Sequence, residues 1–181
     1  MKNKKLLIFS DTHGSIEALK AVFIWAKDRM PPNDSIIASA FLGDCVTDLD
    51  YTAKITGFYS DWKIIRGNND YSYSVPDDMV FEFAGHRFFI CHGHRHGLQN
   101  GHYRLINSAR ENDADVVLFG HTHIPCNKKT SGINLINPGS IGRPRSRLGS
   151  TFAISECIPG QQLKTKFWRI SKFGEISEVK V

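Results

Sequence analysis

Five short apolar runs in this chain each stop abruptly at residue types that ligate metals, and that repetition constrains the fold more than any other feature. Leu6-Leu7-Ile8-Phe9-Ser10 ends at Asp11-Thr12-His13, the run from Ile36 to Leu42 at Gly43-Asp44, and Lys63-Ile64-Ile65-Arg66 at Gly67-Asn68-Asn69-Asp70. Phe88-Phe89-Ile90-Cys91 ends at His92-Gly93-His94, and Val116-Val117-Leu118-Phe119 at Gly120-His121-Thr122-His123. Short β-branched or aromatic runs closed by Gly and polar residues read as buried strands. In open α/β sheets, ligands gather beyond the carboxyl ends of the strands. The pattern therefore predicts an α/β fold that delivers Asp, His and Asn from five segments to one crevice.

The rest of the chain agrees with a globular protein. At 181 residues it is long enough to bury a sizeable core as a single domain, residues 1–181. A hydrophobic content of 41% and a charged content of 23% lie near globular norms. The net charge of +5 and a pI near 9.1 favour anionic partners. The basic residues are scattered, so nucleic acid is allowed but not indicated. Lys2 to Lys5 precede only the short run Leu6 to Phe9, which is too brief for a signal peptide, and no stretch approaches membrane-spanning length. Both absences point to the cytoplasm and away from a membrane partner. Cys45, Cys91, Cys126 and Cys157 are widely spaced and form no CxxC pair, so reduced thiols are expected. Cys91 reads as a core residue and Cys45 as a neighbour of the metals rather than a ligand.

Ser15 is placed to cap a helix over Ile16 to Arg29, with Pro31-Pro32 as its stop. Further helices are predicted over Leu49 to Tyr59 and His102 to Glu111. Met79 to Phe83 and Arg87 to Cys91 flank Ala84-Gly85-His86 as a hairpin. Beyond Gly120, strands follow one another: Asn127 to Thr130, Ile133 to Ile136, Thr151 to Cys157, Leu163 to Ile170 and Glu175 to Val181. A βαβ-rich first part joined to a β-meander suggests two packed sheets with helices outside. The C-terminal strands leave an edge on which a homo-oligomer is possible.

Asp11, His13, Asp44, Asn68, His92, His121 and His123 form the candidate metal-ligand set. Asp44 can bridge two ions, because its carboxylate has two oxygens. Asp11, His13, Asp44 and His123 would then surround one ion, and Asp44, Asn68, His92 and His121 the other. Mixed N/O ligation suits Mn, Fe, Zn, Co or Ni and argues against Ca or Mg. Two such ions over two aspartates leave about +2, a pocket suited to a phosphate ester. Ions ~3.5–4 Å apart can activate a bridging hydroxide and stabilise both oxygens of an in-line displacement, with no protein nucleophile. Each motif alone has a plainer explanation as a turn or cap; the case rests on all five sharing one placement.

Asp-x-His, Gly-Asp, Gly-Asn-x-Asp, His-Gly-His and Gly-His-Thr-His, in that order, resemble the calcineurin-like metallophosphoesterase superfamily. With Asn137-Pro138-Gly139-Ser140, they are similar to its small YfcE-type phosphodiesterase branch, over about Leu6 to Arg145. The resemblance implies a four-layer α/β/β/α sandwich of two mixed sheets, a dinuclear site often filled by manganese, and phosphodiester hydrolysis. It leaves two alternatives. One is a phosphomonoesterase or nucleotide pyrophosphatase on the same site. The other is a protein-binding scaffold like the retromer subunit that shares this fold.

One position departs from the pattern. Many members carry Gly-Asn-His-Glu or Gly-Asn-His-Asp, whose His is a candidate acid; here Asn69 stands there, and an amide cannot act as a general acid near neutral pH. Diesters with good leaving groups are favoured accordingly. His94 has two readings, as a substrate contact or acid and as support for a neighbouring ligand. Asp70 is expected to orient Asn68 or a ligand histidine. The Asn137 to Ser140 segment is either a tight inter-strand turn or a set of N–H donors beside the metals. Arg143, Arg145 and Arg147 form a basic loop, either solvated or holding a second phosphate or a nucleotide. His96 and His102 read as surface or helix-start residues and His86 as a hairpin residue.

Overall fold

The structure is a computed structural model that describes residues 4–29, 37–71 and 74–181. In chain order its elements begin with β1 (Lys4–Phe9), α1 (Ile16–Arg29), β2 (Ile37–Phe41), α2 (Val46–Thr56) and β3 (Asp61–Ile64). The hairpin β4 (Asp78–Phe83) and β5 (His86–Cys91) follows, then a short 3-10 turn at Leu98–Asn100, α3 (Tyr103–Glu111) and β6 (Val116–Phe119). The chain ends in β7 (Cys126–Thr130), β8 (Ile133–Asn137), β9 (Ser150–Cys157), β10 (Lys164–Ile170) and β11 (Ile176–Val179). Among the described residues no helix is long and apolar enough to cross a membrane.

Two mixed sheets result. One has six strands in the order β11-β10-β9-β1-β2-β3, the other five in the order β4-β5-β6-β8-β7. β1, β2 and β3 run parallel, as do β5, β6 and β8. Strand alternation explains why these runs carry apolar residues on both faces. Leu6 and Ile8 of β1 meet Phe88, Ile90, Val116 and Leu118 of the other sheet in the core between them. Leu7 and Phe9 point the other way, onto Leu19, Val22 and Phe23 of α1 and Leu49 of α2. Phe89, Val117 and Phe119 likewise face Leu105, Ile106 and Ala109 of α3. A strand covered on both sides has no use for polar residues until it ends. The layers are therefore α/β/β/α, as the resemblance implied.

Several boundaries differ from expectation. α1 spans its predicted residues, with the Leu19 N–H donating to the carbonyl of Ser15; the Pro31-Pro32 stop and Ile36 lie outside the described residues. α2 runs from Val46 to Thr56, not from Leu49 to Tyr59. Gly57 adopts φ 61 and closes it with an N–H bond to the Ala53 carbonyl. Phe58 then leaves the helix to stack on Phe23 at 4.7 Å. β3 begins at Asp61, because pairing with β2 runs from Ala38↔Asp61 to Phe41↔Ile64. The hairpin turn is only Ala84-Gly85, at φ 50 and 82, so His86 already belongs to β5.

Candidate metal centre

The loops after β1, β2, β3, β5 and β6 meet at one end of the two sheets. Asp11 N–H donates to the Gly43 carbonyl at 2.9 Å, and Gly120 N–H to the His92 carbonyl at 3.0 Å. His121 N–H reaches Asp11 Oδ2 at 3.2 Å. Each loop turns sharply as soon as its strand stops. Asp11, His13, Asp44, Cys45, His121 and His123 all have positive φ, between 45 and 74. For non-glycine residues this conformation costs roughly 1–2 kcal/mol each and persists only where surrounding contacts hold it. Close backbone approach is part of that support. A Cβ on Gly67 would overlap the Asp44 carboxylate, and one on Gly43 would overlap the backbone of Gly67.

Two histidines are fixed in one tautomer. His92 Nδ1 lies 2.6 Å from the Leu42 carbonyl, and His123 Nδ1 lies 2.6 Å from the Arg143 carbonyl. A carbonyl only accepts, so Nδ1 carries the proton in both rings and Nε2 faces inward. His92 Nε2 is 3.6 Å from Asp44 Oδ1, and His13 Nε2 is 3.5 Å from Asp44 Oδ2. The two oxygens of Asp44 are thus divided between two histidines. Asp11 Oδ1 lies 3.1 Å from His123 Nε2, 3.8 Å from His13 Nε2 and 3.9 Å from His92 Nε2. Asp11, Asp44, His92 and His123 are buried, yet Asp11 Oδ1 and His92 Nε2 have no aligned hydrogen-bond partner. Buried acceptors facing one another without a donor are unfavourable unless a proton or a cation lies between them. The donor chemistry therefore fits a metal.

Charge balance in the protein alone points the same way. The Asp11 carboxylate holds His123 above the ordinary imidazole range, against the opposing effect of burial. Burial pushes Asp11 up, but His123, His92 and Ser10 together bring it below the usual carboxylate value. His13 and His121 are pushed down, chiefly by burial. A proton at His123 Nε2 would face Asp11 Oδ1, 3.1 Å away.

The structure gathers the expected ligands unevenly. Donor atoms of Asp11, His13, Asp44 and His123 lie within 4.8 Å of one another. His121 stands beside His92, with ring centroids 5.2 Å apart. Asn68 is an exposed turn residue lining the same cavity as Asp44 and His121. That cavity, about 380 Å³, is walled by His13, Asp44, Asn68, Asn69, His121 and His123 together with the Arg143–Arg145 loop. Asn69 turns to Asp44: its backbone N–H donates to Oδ1 at 2.9 Å and its side-chain amide to Oδ2 at 2.6 Å. His94 is not among the lining residues. It stands 5.5 Å from the His92 ring and 6.2 Å from that of His121, and burial first, then His92, Arg95 and His121, favour its neutral form.

The sequence pattern described as the calcineurin-like phosphoesterase superfamily domain matches residues 5–158. The chain belongs to the calcineurin-like phosphoesterase superfamily. It is 31% identical over 149 residues to the probable metallophosphoesterase YsnB of Bacillus subtilis, covering 82% of each chain. It is 27% identical to the phosphodiesterase YfcE of Escherichia coli K12, over 78% of this chain and 81% of YfcE. Among solved structures it is similar to Vps29 of Entamoeba histolytica in complex with Zn²⁺, with a TM-score of 0.74, 18% identity and 98% of both chains covered. At that identity the likeness concerns the fold.

In this metallophosphoesterase fold, several residues that brace the centre were not legible as such. Asp70 orients neither Asn68 nor a ligand histidine. Its Oδ2 accepts the backbone N–H groups of Asp44 at 2.7 Å and Gly67 at 2.8 Å, and its Oδ1 accepts that of Val46 at 2.8 Å. It thereby fixes two loops and the first turn of α2. Thr12 Oγ1 donates to Asp48 at 2.6 Å, whose carboxylate also takes the Gly14 N–H. The Asn137 to Ser140 segment starts at the last residue of β8 and continues as a buried turn. Asn137 Nδ2 donates to the Gly120 carbonyl at 2.8 Å and Ser140 Oγ to the Asp11 carbonyl at 2.8 Å. Asn and Ser beside a Pro-Gly turn are the only local signal for these braces. Cys45 is kept as a thiol by burial and by the nearby carboxylates of Asp48, Asp70 and Asp44. His96 is half-buried near Phe89 rather than on the surface, and His102 precedes α3 against Phe119. His86 Nδ1 pairs with Asp115 at 2.6 Å.

Proposed function

We propose that this protein is a phosphodiesterase working through two divalent transition-metal ions, with manganese first among Mn, Fe, Zn, Ni and Co. The observation that carries the reading is the pair of carbonyl-locked histidines, whose Nε2 atoms converge on the buried carboxylates of Asp11 and Asp44, with Asp11 Oδ1 and His92 Nε2 left without a hydrogen-bond partner. Asp11, His13, Asp44 and His123 would hold one ion, and Asp44, Asn68, His92 and His121 the other. When bound, the ions would polarise a phosphoryl oxygen and supply activated water. Asp44 offers one oxygen to each side, and Asn69 holds both oxygens in place. The likeness to a phosphodiesterase, YfcE, supports diester chemistry. The core between the sheets draws on both halves of the chain, which supports treating residues 1–181 as one domain.

Asn69 supplies no proton to a leaving group, since its amide is engaged with Asp44 and has no acidic proton near neutral pH. His94 lies behind His92 and His121, in a position to support them. The reaction then depends on leaving groups that depart without protonation by the protein, which favours activated diesters over monoesters with poor leaving groups. The likeness to a vacuolar protein-sorting protein keeps a protein-binding scaffold as the second reading.

The test is metal reconstitution followed by parallel panels of phosphodiesters and phosphomonoesters. Wild type loaded with Mn should bind close to two ions per chain and cleave bis(p-nitrophenyl) phosphate. Asn68→Ala and His92→Ala should lose most activity. A metal-loaded wild type that hydrolyses nothing in either panel would hand the case to the scaffold.

A further inference from the structure

The loop from Arg143 to Arg145 is built into the wall of the metal centre rather than laid over it. The His123 ring donates from Nδ1 to the Arg143 carbonyl at 2.6 Å, and the Arg145 N–H donates to the His123 carbonyl at 3.0 Å. One histidine thus grips the loop on both sides of Pro144. Arg143 N–H donates to Ser140 Oγ at 2.8 Å, and the same hydroxyl donates to the Asp11 carbonyl. Gly142 N–H also reaches the Asp11 carbonyl, at 3.0 Å. The backbone of this loop is therefore tied to two of the candidate ligand residues.

Its side chains are left for something else. Arg143, Pro144 and Arg145 line the cavity of about 380 Å³ that holds Asp44, Asn68 and His121; Arg147 does not line it. Both arginines are exposed, and among the described residues neither guanidinium has a carboxylate or other hydrogen-bond partner. Two ions over two aspartates leave about +2, and the arginines raise the cavity to about +4. A simple diester brings a single negative charge. A further terminal phosphate adds about −1.5 to −2 near neutral pH and offers three acceptor oxygens. Guanidinium forks match such oxygens geometrically, in a way that a diffuse basic surface does not. The cavity volume is that of a small-molecule site.

We propose that Arg143 and Arg145 form a subsite for a second phosphate, so that the substrate is a small phosphodiester carrying a further phosphate close to the scissile one. The chemistry at the ions rests on the phosphodiesterase reading above; the recognition of the second anion rests on the arginine loop. Three measurements on the full chain loaded with Mn separate the two. The first compares kcat/KM for dithymidylate with that for dithymidylate bearing a terminal 5′ or 3′ phosphate. The second measures binding of propane-1,3-diphosphonate against propylphosphonate by calorimetry, where nothing can be hydrolysed. The third repeats both with the double variant Arg143→Gln/Arg145→Gln and with Arg147→Ala.

The phosphorylated substrate and the diphosphonate should each be preferred by about tenfold or more, a gain of the size that charge-assisted phosphate contacts supply. The preference should fall to within about twofold in the double variant and persist in Arg147→Ala. If wild type binds with the preference but cleaves no diester, the phosphodiesterase reading fails and the subsite stands. If it cleaves diesters without the preference, or the double variant keeps it, the subsite is wrong. Release of inorganic phosphate from the terminal position would put that phosphate on the ions and also overturn the proposal.

Discussion

Replacing Asp70 with Ala removes the acceptor for three backbone N–H groups at once, those of Asp44, Gly67 and Val46, at 2.7 to 2.8 Å. All three bonds are partly buried, so water replaces some of what is lost. At about 1 kcal/mol net for each such bond, a typical value set below that of a charged acceptor because the bonds are only partly buried, the loss is about 3 kcal/mol. In a domain of this size that corresponds to a fall in Tm of roughly 6–12 °C. Asp70→Asn keeps one carbonyl oxygen but turns an amide N–H₂ toward a donor, and should cost about half as much. Because the Asp44 N–H is one of the three, the loop carrying the Asp44 carboxylate loosens, and Mn affinity should drop about 10–100-fold. The assay is urea unfolding of chelator-treated protein by far-UV circular dichroism, paired with calorimetric Mn titration. Asn69→Ala provides the contrast. It deletes one bond to Asp44 Oδ2 and none from Asp70, so it should weaken metal binding while moving stability by less than about 1 kcal/mol. If metal-free Asp70→Ala unfolds within about 0.5 kcal/mol of wild type, Asp70 is not the brace inferred from its geometry.

Three further outcomes are expected. Arg66, and then Arg95, hold the Asp77 carboxyl below its ordinary range against burial. Its contribution is present above the unfolded value near 3.9 and lost as pH falls through the folded one, so Asp77→Asn should destabilise by about 1 kcal/mol at pH 7 and by progressively less as pH falls below the unfolded value. Denaturant midpoints across that range check it, and a difference independent of pH would count against the pair. His123 is raised by Asp11, so the stabilisation of metal-free protein is complete below the imidazole value near 6.5 and is lost as pH rises through the folded value. Mn affinity should rise over that same window and then level off; an affinity flat with pH contradicts competition at Nε2. Gly67→Ala places a methyl group on the Asp44 carboxylate, so metal content after purification should collapse and Tm should fall. Wild-type metal content in that variant would show that the loop yields easily.

The residue types of the centre were legible because strand burial and ligand placement leave marks on neighbouring positions. Leu6 to Phe9 and Val116 to Phe119 must be apolar on both faces, so the first polar residues after them announce the strand ends. Helix α1 was readable end to end, since its apolar spacing is local. Helix α2 was not. The span expected from Leu49 to Tyr59 began too late, whereas the N–H of its actual first residue, Val46, is held by Asp70, 24 residues away. The same limit hid the role of Asp70, which reads as part of a ligand motif and acts as a backbone brace. Arg143 and Arg145 read as a basic loop, either solvated or holding an anion, and only the tertiary fold ties their backbone to His123.

By itself, the sequence determined which donors are available, that each follows a short apolar run, and that the position of Asn69 lacks an acid. These follow from hydrophobic periodicity and side-chain chemistry, both of which are read within a few residues. Only the tertiary structure decided how the donors are aimed. The inward Nε2 of His92 depends on the carbonyl of Leu42, that of His123 on the carbonyl of Arg143, and the pose of Asp44 on Gly67, Asn69 and Asp70. Those partners lie 20 to 50 residues apart in the chain, so the bonds at Asp44 exist only once β2 and β3 have paired, and the bond from His92 to Leu42 only once the two sheets have packed.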